Sequence, residues 1–214
     1  MEKNVCWIVG AGDFCAKAFT PREEDYVIAA DGGYAPLMEM GAEVHMVLGD
    51  FDSLGYVPEH RNVVRHKPEK DDTDMMLAVK EGLRRGYGRF AMLGALGGRL
   101  DHTLANIQTL MYISRRNCRG FLIGEESVVT AITDSELFFS AQHRGVVSVF
   151  CLAEPAHGVT LRGLKYPLDR VTLESSVALG VSNEFTGQPS SVAVEKGTLV
   201  ITWRGGELER MLRS

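Results

Sequence analysis

Short apolar runs, most of them closed by a glycine or an acidic turn, punctuate the first 124 positions at 5–9, 26–30, 46–48, 90–93 and 121–123, with a more polar candidate of the same length at 62–65. Runs of this length bounded by turn residues read as strands. Stretches of helical period lie between them. Residues 34–40 form a short helix candidate stopped by Gly41. Met75, Met76, Val79 and Leu83 make a stripe that ends near Gly86, and Leu104, Ile107, Leu110 and Met111 make a second. Strands that alternate with helices predict a mostly parallel sheet with helices on both faces.

Beyond Gly124 the texture changes. Runs at 128–132, 136–139, 146–150, 159–161, 192–194 and 199–203 are short and β-rich, separated by turns such as Glu195-Lys196-Gly197-Thr198. Long helical stripes stop, which predicts a small antiparallel sandwich or barrel-like unit. No linker rich in Pro, Ser or Gly separates the halves. The expected organisation is an α/β domain over 1–124 and an all-β, sandwich-like domain over 125–214, packed directly together.

Bulk properties narrow the function. A chain of 214 residues with 45% hydrophobic content suits one substantial domain or two small ones. A net charge of −5 gives no electrostatic support for a nucleic-acid role. The one basic cluster, Arg115-Arg116-Asn117-Cys118-Arg119, reads as the close of a helix, where cations complement the dipole. Cys6, Cys15, Cys118 and Cys151 are scattered without a CxxC pair, as expected of reduced thiols in a cytoplasmic protein. No stretch approaches a membrane span or a signal-peptide core.

The chemistry gathers at the carboxyl ends of the predicted strands, where open α/β sheets bind ligands. Gly49-Asp50-Phe51-Asp52-Ser53 follows one strand. With extended backbone, its two carboxylates point the same way while Phe51 turns into the core. Hard oxygen ligands so placed suit Mg²⁺ with phosphate oxygens. Asp71-Asp72-Thr73-Asp74 opens a helix with more carboxylates than capping requires. Gly97-Gly98-Arg99-Leu100-Asp101-His102 joins a strand to a helix, a setting suited to anions. Asp31-Gly32-Gly33 closes another strand. The first turn, Gly10-Ala11-Gly12, lacks the third glycine of a dinucleotide fingerprint but still lets backbone approach a phosphate or ribose. The P-loop pattern G-x-x-x-x-G-K-[ST] does not occur.

Taken in order with Val181-Ser182-Asn183-Glu184-Phe185, these motifs resemble thiamine pyrophosphokinases over most of the chain. The resemblance implies transfer of a pyrophosphoryl group from ATP to thiamine, giving AMP and thiamine diphosphate. It implies a homodimer with thiamine bound where the α/β domain of one subunit meets the β domain of the other. Mg²⁺ would be surrounded by Asp50, Asp52, Asp71 and Asp74. The nucleotide would lie against Asp31, Gly32, Gly33, Gly49, Asp50, Ser53 and Arg99, with Arg99 and Asp101 acting on the phosphate and thiamine side. Ser182 and Asn183 would join Asp101 around thiamine. Asp71 and Asp101 both remain possible acceptors of the alcohol proton. Trp203 and Phe185 are the aromatic candidates for stacking on thiamine, although such side chains in a β domain are more often core. Asp52→Asn is expected to abolish turnover with far less effect on folding.

Two rivals stand beside this reading. A pyrophosphokinase acting on a hydroxymethyl pterin would use the same acidic motifs. A non-enzymatic nucleotide- or vitamin-binding module is compatible with the fold class. Three clustered acidic motifs speak for chemistry on phosphate.

Overall fold

A computed structural model describes residues 4–67, 71–205 and 208–213. Five strands run parallel in the first half: β1 (Cys6–Val9), β2 (Tyr26–Ala30), β3 (Met46–Gly49), β4 (Val63–Arg65) and β5 (Arg89–Leu93). β6 (Arg119–Ile123) continues them, giving the order β6-β5-β1-β2-β3-β4. β1, β3 and the inner four residues of β2, β5 and β6 are buried. That is why they read as near-continuous apolar runs: a parallel strand is covered on both faces.

Helix α1 (Tyr34–Glu39) packs Tyr34 and Leu37 against one face. α2 (Asp74–Arg84) and α3 (Leu100–Ser114) cover the other, through Met75, Ala78, Val79, Leu110 and Ile113. Helices therefore lie on both faces, as the alternation predicts.

The β-rich half divides between two sheets. β7 (Val128–Thr133), β9 (Val146–Phe150), β12 (Asn183–Glu184) and β14 (Thr198–Trp203) extend the first sheet antiparallel, in the order β12-β9-β14-β7-β6. β8 (Glu136–Phe139), β10 (Ala156–Arg162), β11 (Leu168–Leu173) and β13 (Ser190–Ala193) make a separate four-stranded sheet. Leu137, Phe139, Val159, Leu161 and Val192 from this sheet share one core with Val147, Val149, Leu199, Ile201 and Trp203. The sandwich is thus formed, and one of its layers continues the α/β sheet into ten strands. β11 and β12 carry weak apolar patterns, and the sequence reading did not find them.

Trp203 and Phe185 are both core residues. Trp203 is 2% exposed and meets Phe139 edge-on at 5.3 Å, and Phe185 is 8% exposed and lies 5.1 Å from the same ring. Neither presents a face for stacking on a ligand in this chain. The last helix, α4 (Leu208–Arg213), buries Met211 and Leu212 in the core shared with the sandwich. The four cysteines are free, and no described helix is long and apolar enough to cross a membrane.

Candidate functional site: a carboxylate cleft at the sheet's switch point

The order β5-β1-β2-β3 means that the chain leaves β1 in one direction and returns on its other side. The connections that follow β1 and β5 therefore leave toward opposite faces of the sheet and open a crevice between them, the place where ligands bind in open α/β sheets. A cavity of about 330 Å³ lies there, lined by Gly10 to Gly12, Asp31, Ser53, Asp74, Gly94, Arg99 and His102, among others.

Backbone closes its floor. Gly10 N–H donates to the Leu93 carbonyl at 2.8 Å, and Gly12 N–H donates to the Gly94 carbonyl at 2.9 Å. Gly94 has φ +61°, and a Cβ there would sit 2.3 Å from the Gly10 oxygen. No side chain fits at that distance without moving the backbone. Gly94→Ala is expected to cost about 3 kcal/mol, from overpacking and left-handed strain together. Urea unfolding checks this; an unchanged midpoint would mean that the two turns are not locked as described.

Strand order also explains the carboxylates. β2 and β3 are neighbours, with Ala30 paired to Leu48, so Asp31 and Asp50 leave adjacent strand ends. Asp74 is the first residue of α2, whose N-cap Thr73 accepts from Met76 N–H at 3.2 Å. One carboxylate oxygen from each of Asp31, Asp50 and Asp74 lies within 4.8 Å of the others. Asp31 Oδ2 accepts a hydrogen bond from Ser53 Oγ, while the buried Asp31 Oδ1 has no hydrogen-bond partner. A buried, unpaired carboxylate oxygen among like charges is unfavourable unless a cation joins it. This donor set fits a divalent hard cation that takes a few carboxylates and fills its other positions with water or phosphate.

The acidic turn after β3 is not extended. Phe51 has φ +66° and its ring is buried, so the strand alternation breaks at that residue. Asp50 Oδ1 instead accepts Asp52 N–H at 3.2 Å, an Asx turn. The structure does not bring Asp52 into the group of three; it is exposed, and so is Asp71. Asp72 bonds Lys80 at 2.6 Å. Asp31 was expected beside the nucleotide and stands among the clustered carboxylates. Only the neighbouring strand order reveals this, and no single motif carries it.

Arg99 precedes α3 and is exposed. Its Nη2 donates to Asp101 Oδ2 at 2.6 Å, and its Nε donates to Asp101 Oδ1 at 3.2 Å. The Arg99 bond holds the Asp101 carboxyl below the usual range, helped by the His102 N–H. Gly97 and Gly98, both with positive φ, carry the chain past the cavity into this helix. Asn106, 6% exposed, fixes the loop by donating to the Ala95 carbonyl at 2.8 Å; the sequence reading passed over it.

Ser182 and Asn183 are not brought to this cleft within the chain. Asn183 is 2% exposed and its amide is engaged: Oδ1 accepts from Tyr166 N–H at 2.9 Å and Nδ2 donates to the Tyr166 carbonyl at 2.7 Å. Ser182 is exposed, with φ +58°.

Residues 20–122 match the family model described as thiamin pyrophosphokinase, catalytic domain. Residues 137–199 match that described as thiamin pyrophosphokinase, vitamin B1 binding domain. The thiamine pyrophosphokinase of Bacillus subtilis (strain 168) is 29% identical over 182 residues, covering 81% of this chain and 85% of that protein. Thiamin pyrophosphokinase 1 of Caenorhabditis elegans is 25% identical over 177 residues, covering 75% of this chain and 72% of that protein. A crystal structure of the Bacillus subtilis enzyme superposes with a TM-score of 0.83 at 26% identity, over 96% of this chain and 100% of that one. A thiamin pyrophosphokinase from Candida albicans shares the fold, with a TM-score of 0.76 at 15% identity, over 95% of this chain and 90% of that one.

Proposed function

The chain belongs to the thiamin pyrophosphokinase family, and from that premise we propose that the cleft at the β1/β5 switch point is where a pyrophosphoryl group passes from ATP to thiamine. The observation that carries the assignment to this cleft is the group of Asp31, Asp50 and Asp74, two of which, Asp31 and Asp74, line the same cavity as Arg99.

ATP brings about four negative charges into a site that already holds several carboxylates. Two unit charges 4 Å apart repel by about 4 kcal/mol at an effective dielectric of 20. Asp31, Asp50 and Asp74 are the residues that would hold Mg²⁺. When bound there, Mg²⁺ would supply the positive charge that neutralises phosphate oxygens. Gly10 to Gly12 line the cavity and let backbone approach the nucleotide, Gly33 is packed against the Val9 carbonyl beneath it, and Ser53 keeps Asp31 oriented. Arg99 exchanges Asp101 for phosphate oxygens as charge moves toward the leaving AMP. That exchange frees Asp101 to accept the proton of the thiamine hydroxyl, with Asp71 as the other available base. Little covalent help is needed, because positioning and charge neutralisation carry phosphoryl chemistry.

Asp52 and Asp71 stand at the exposed rim. In this reading they act on the metal–nucleotide complex, so Asp52→Asn removes turnover while leaving the urea midpoint in place. A variant that turns over like wild type would take Asp52 out of the reaction.

The α/β part, 1–124, binds nucleotide and metal, and 125–214 contributes the thiamine surface. Ser182 and Asn183 lie away from the cleft of their own chain, which favours a homodimer whose β half completes the partner's site. The free thiols favour a reducing, cytoplasmic setting. The match of residues 137–199 to a vitamin B1 binding domain favours thiamine over a pterin acceptor. The deciding experiment incubates the protein with ATP, Mg²⁺ and either thiamine or hydroxymethyl pterin. AMP and thiamine diphosphate appearing together support the reading; AMP only with the pterin, or binding without AMP, overturns it.

A further inference from the structure

β5 and β6 begin where the carboxylate cleft is farthest away. Arg89 and Arg119 are their first residues, paired in register. A strand of five residues spans roughly 17 Å, so these guanidinium groups sit at the opposite edge of the sheet from the β5–Gly94 turn. Alternation along β5 and β6 puts both side chains on the face that the four-stranded sheet covers: Ala91, Leu93, Phe121 and Ile123 lie two and four residues on, and all belong to the core shared with that sheet.

Arg119 is anomalous there. Its Nη1 is buried and has no hydrogen-bond partner among the described residues, and the neighbouring charge that bears on it is another cation, Arg89. Burial pulls its pKa down, and neighbouring Arg89 lowers it further. Evolved cores pair such charges. Two hollows flank the arginine pair, of about 830 and 760 Å³, and both are lined by Arg89 and Arg119. The second also presents Ser190, whose buried Oγ has no partner, with Arg162, Arg210 and the exposed ring of Phe138. Glu136 is the one carboxylate among the described residues that line that hollow. The sequence reading treated Arg119 as part of a basic helix end, but Arg115 and Arg116 close α3 while Arg119 starts the next strand.

We propose that the hollow between Arg119, Ser190 and Arg162 is a binding site for a phosphate-bearing small molecule, separate from the carboxylate cleft. The guanidinium fork and the hydroxyl supply donors matched to a phosphate. The volume falls in the range of ligand pockets and exceeds what a bare phosphate fills. Phe138 offers an apolar surface for the rest of the ligand.

The test titrates inorganic phosphate and pyrophosphate calorimetrically into the full chain without nucleotide, thiamine or divalent metal. Saturable binding is expected for wild type and is expected to persist in Arg99→Ala, which removes only what phosphate the other cleft takes up. Arg119→Met and Arg162→Gln are each expected to weaken binding, Arg119→Met by at least about tenfold. Arg162 is exposed, so its variant keeps the test open should Arg119→Met fail to fold. Removing a half-buried guanidinium whose Nη1 is unpartnered is also expected to hold or raise the thermal midpoint of Arg119→Met. No saturable binding to wild type, binding lost with Arg99→Ala, or full binding by the folded Arg119→Met or Arg162→Gln protein overturns the proposal.

Discussion

Asp50→Asn is expected to lower turnover by a factor on the order of 10³ or more while the protein stays folded. The two halves of that expectation have separate causes. Folding is preserved because the asparagine Oδ1 replaces the acceptor that takes Asp52 N–H at 3.2 Å, so the Asx turn survives. Shape and volume hardly change. Turnover is lost because one of three convergent charges disappears from a group whose oxygens lie within 4.8 Å of each other. The substitution also relieves repulsion between like charges, so without Mg²⁺ the variant should unfold at the same urea concentration as wild type or a higher one. Added Mg²⁺ should raise the thermal midpoint of wild type more than that of the variant, which reads the site independently of activity. A folded variant with wild-type turnover, or equal Mg²⁺ stabilisation of both proteins, would detach Asp50 from the chemistry.

Much of this arrangement was legible in the chain. The parallel strands declared themselves because burial on both faces leaves no polar positions, as in the fully buried Cys6-Trp7-Ile8-Val9. The α2 stripe ended at Gly86 for the ordinary reason that a glycine in the left-handed region, φ +88°, terminates a helix. Asp31 was harder. Its membership of the carboxylate group follows from β2 lying beside β3, and local sequence does not encode strand order. The Phe51 turn was harder again: an aromatic residue at positive φ contradicts its own preference and is held by burial of the ring. Which strands of the β half join which layer of the expected sandwich was hidden for the same reason as Asp31. Strands β7 and β8 are separated by two residues yet join different sheets. Alternation says that a strand is half-buried, and it does not say against which partner.

Asp25→Asn is expected to destabilise the protein by about 3–5 kcal/mol, the range for leaving one member of a buried ion pair without its counterpart. Asp25 is completely buried and ties both ends of the described chain together. Its Oδ1 accepts from Val5 N–H at 2.8 Å and Arg213 Nη1 at 3.1 Å; its Oδ2 accepts from Trp7 Nε1 and Arg22 N–H, each at 2.9 Å, and Arg213 Nη2 at 2.7 Å. An ionised carboxylate accepts all five, whereas the asparagine amide nitrogen cannot accept and would face at least two donors in either orientation. Burial works to raise the Asp25 pKa, but the bonds from Arg213, Arg22, Val5 and Trp7 outweigh it and the net shift is downward. A depressed folded-state pKa contributes stability above the unfolded value, about 3.9, and loses it as pH falls through the folded value. The gap between wild type and Asp25→Asn in urea unfolding should therefore be constant near neutrality and narrow only below about pH 4. Pairing the change with Arg213→Met should recover much of the loss, because a buried ion pair replaced on both sides is often neutral. A single variant within about 1 kcal/mol of wild type at neutral pH would mean that α4 docks through Met211 and Leu212 alone, and that the five-donor carboxylate is a by-product of that docking.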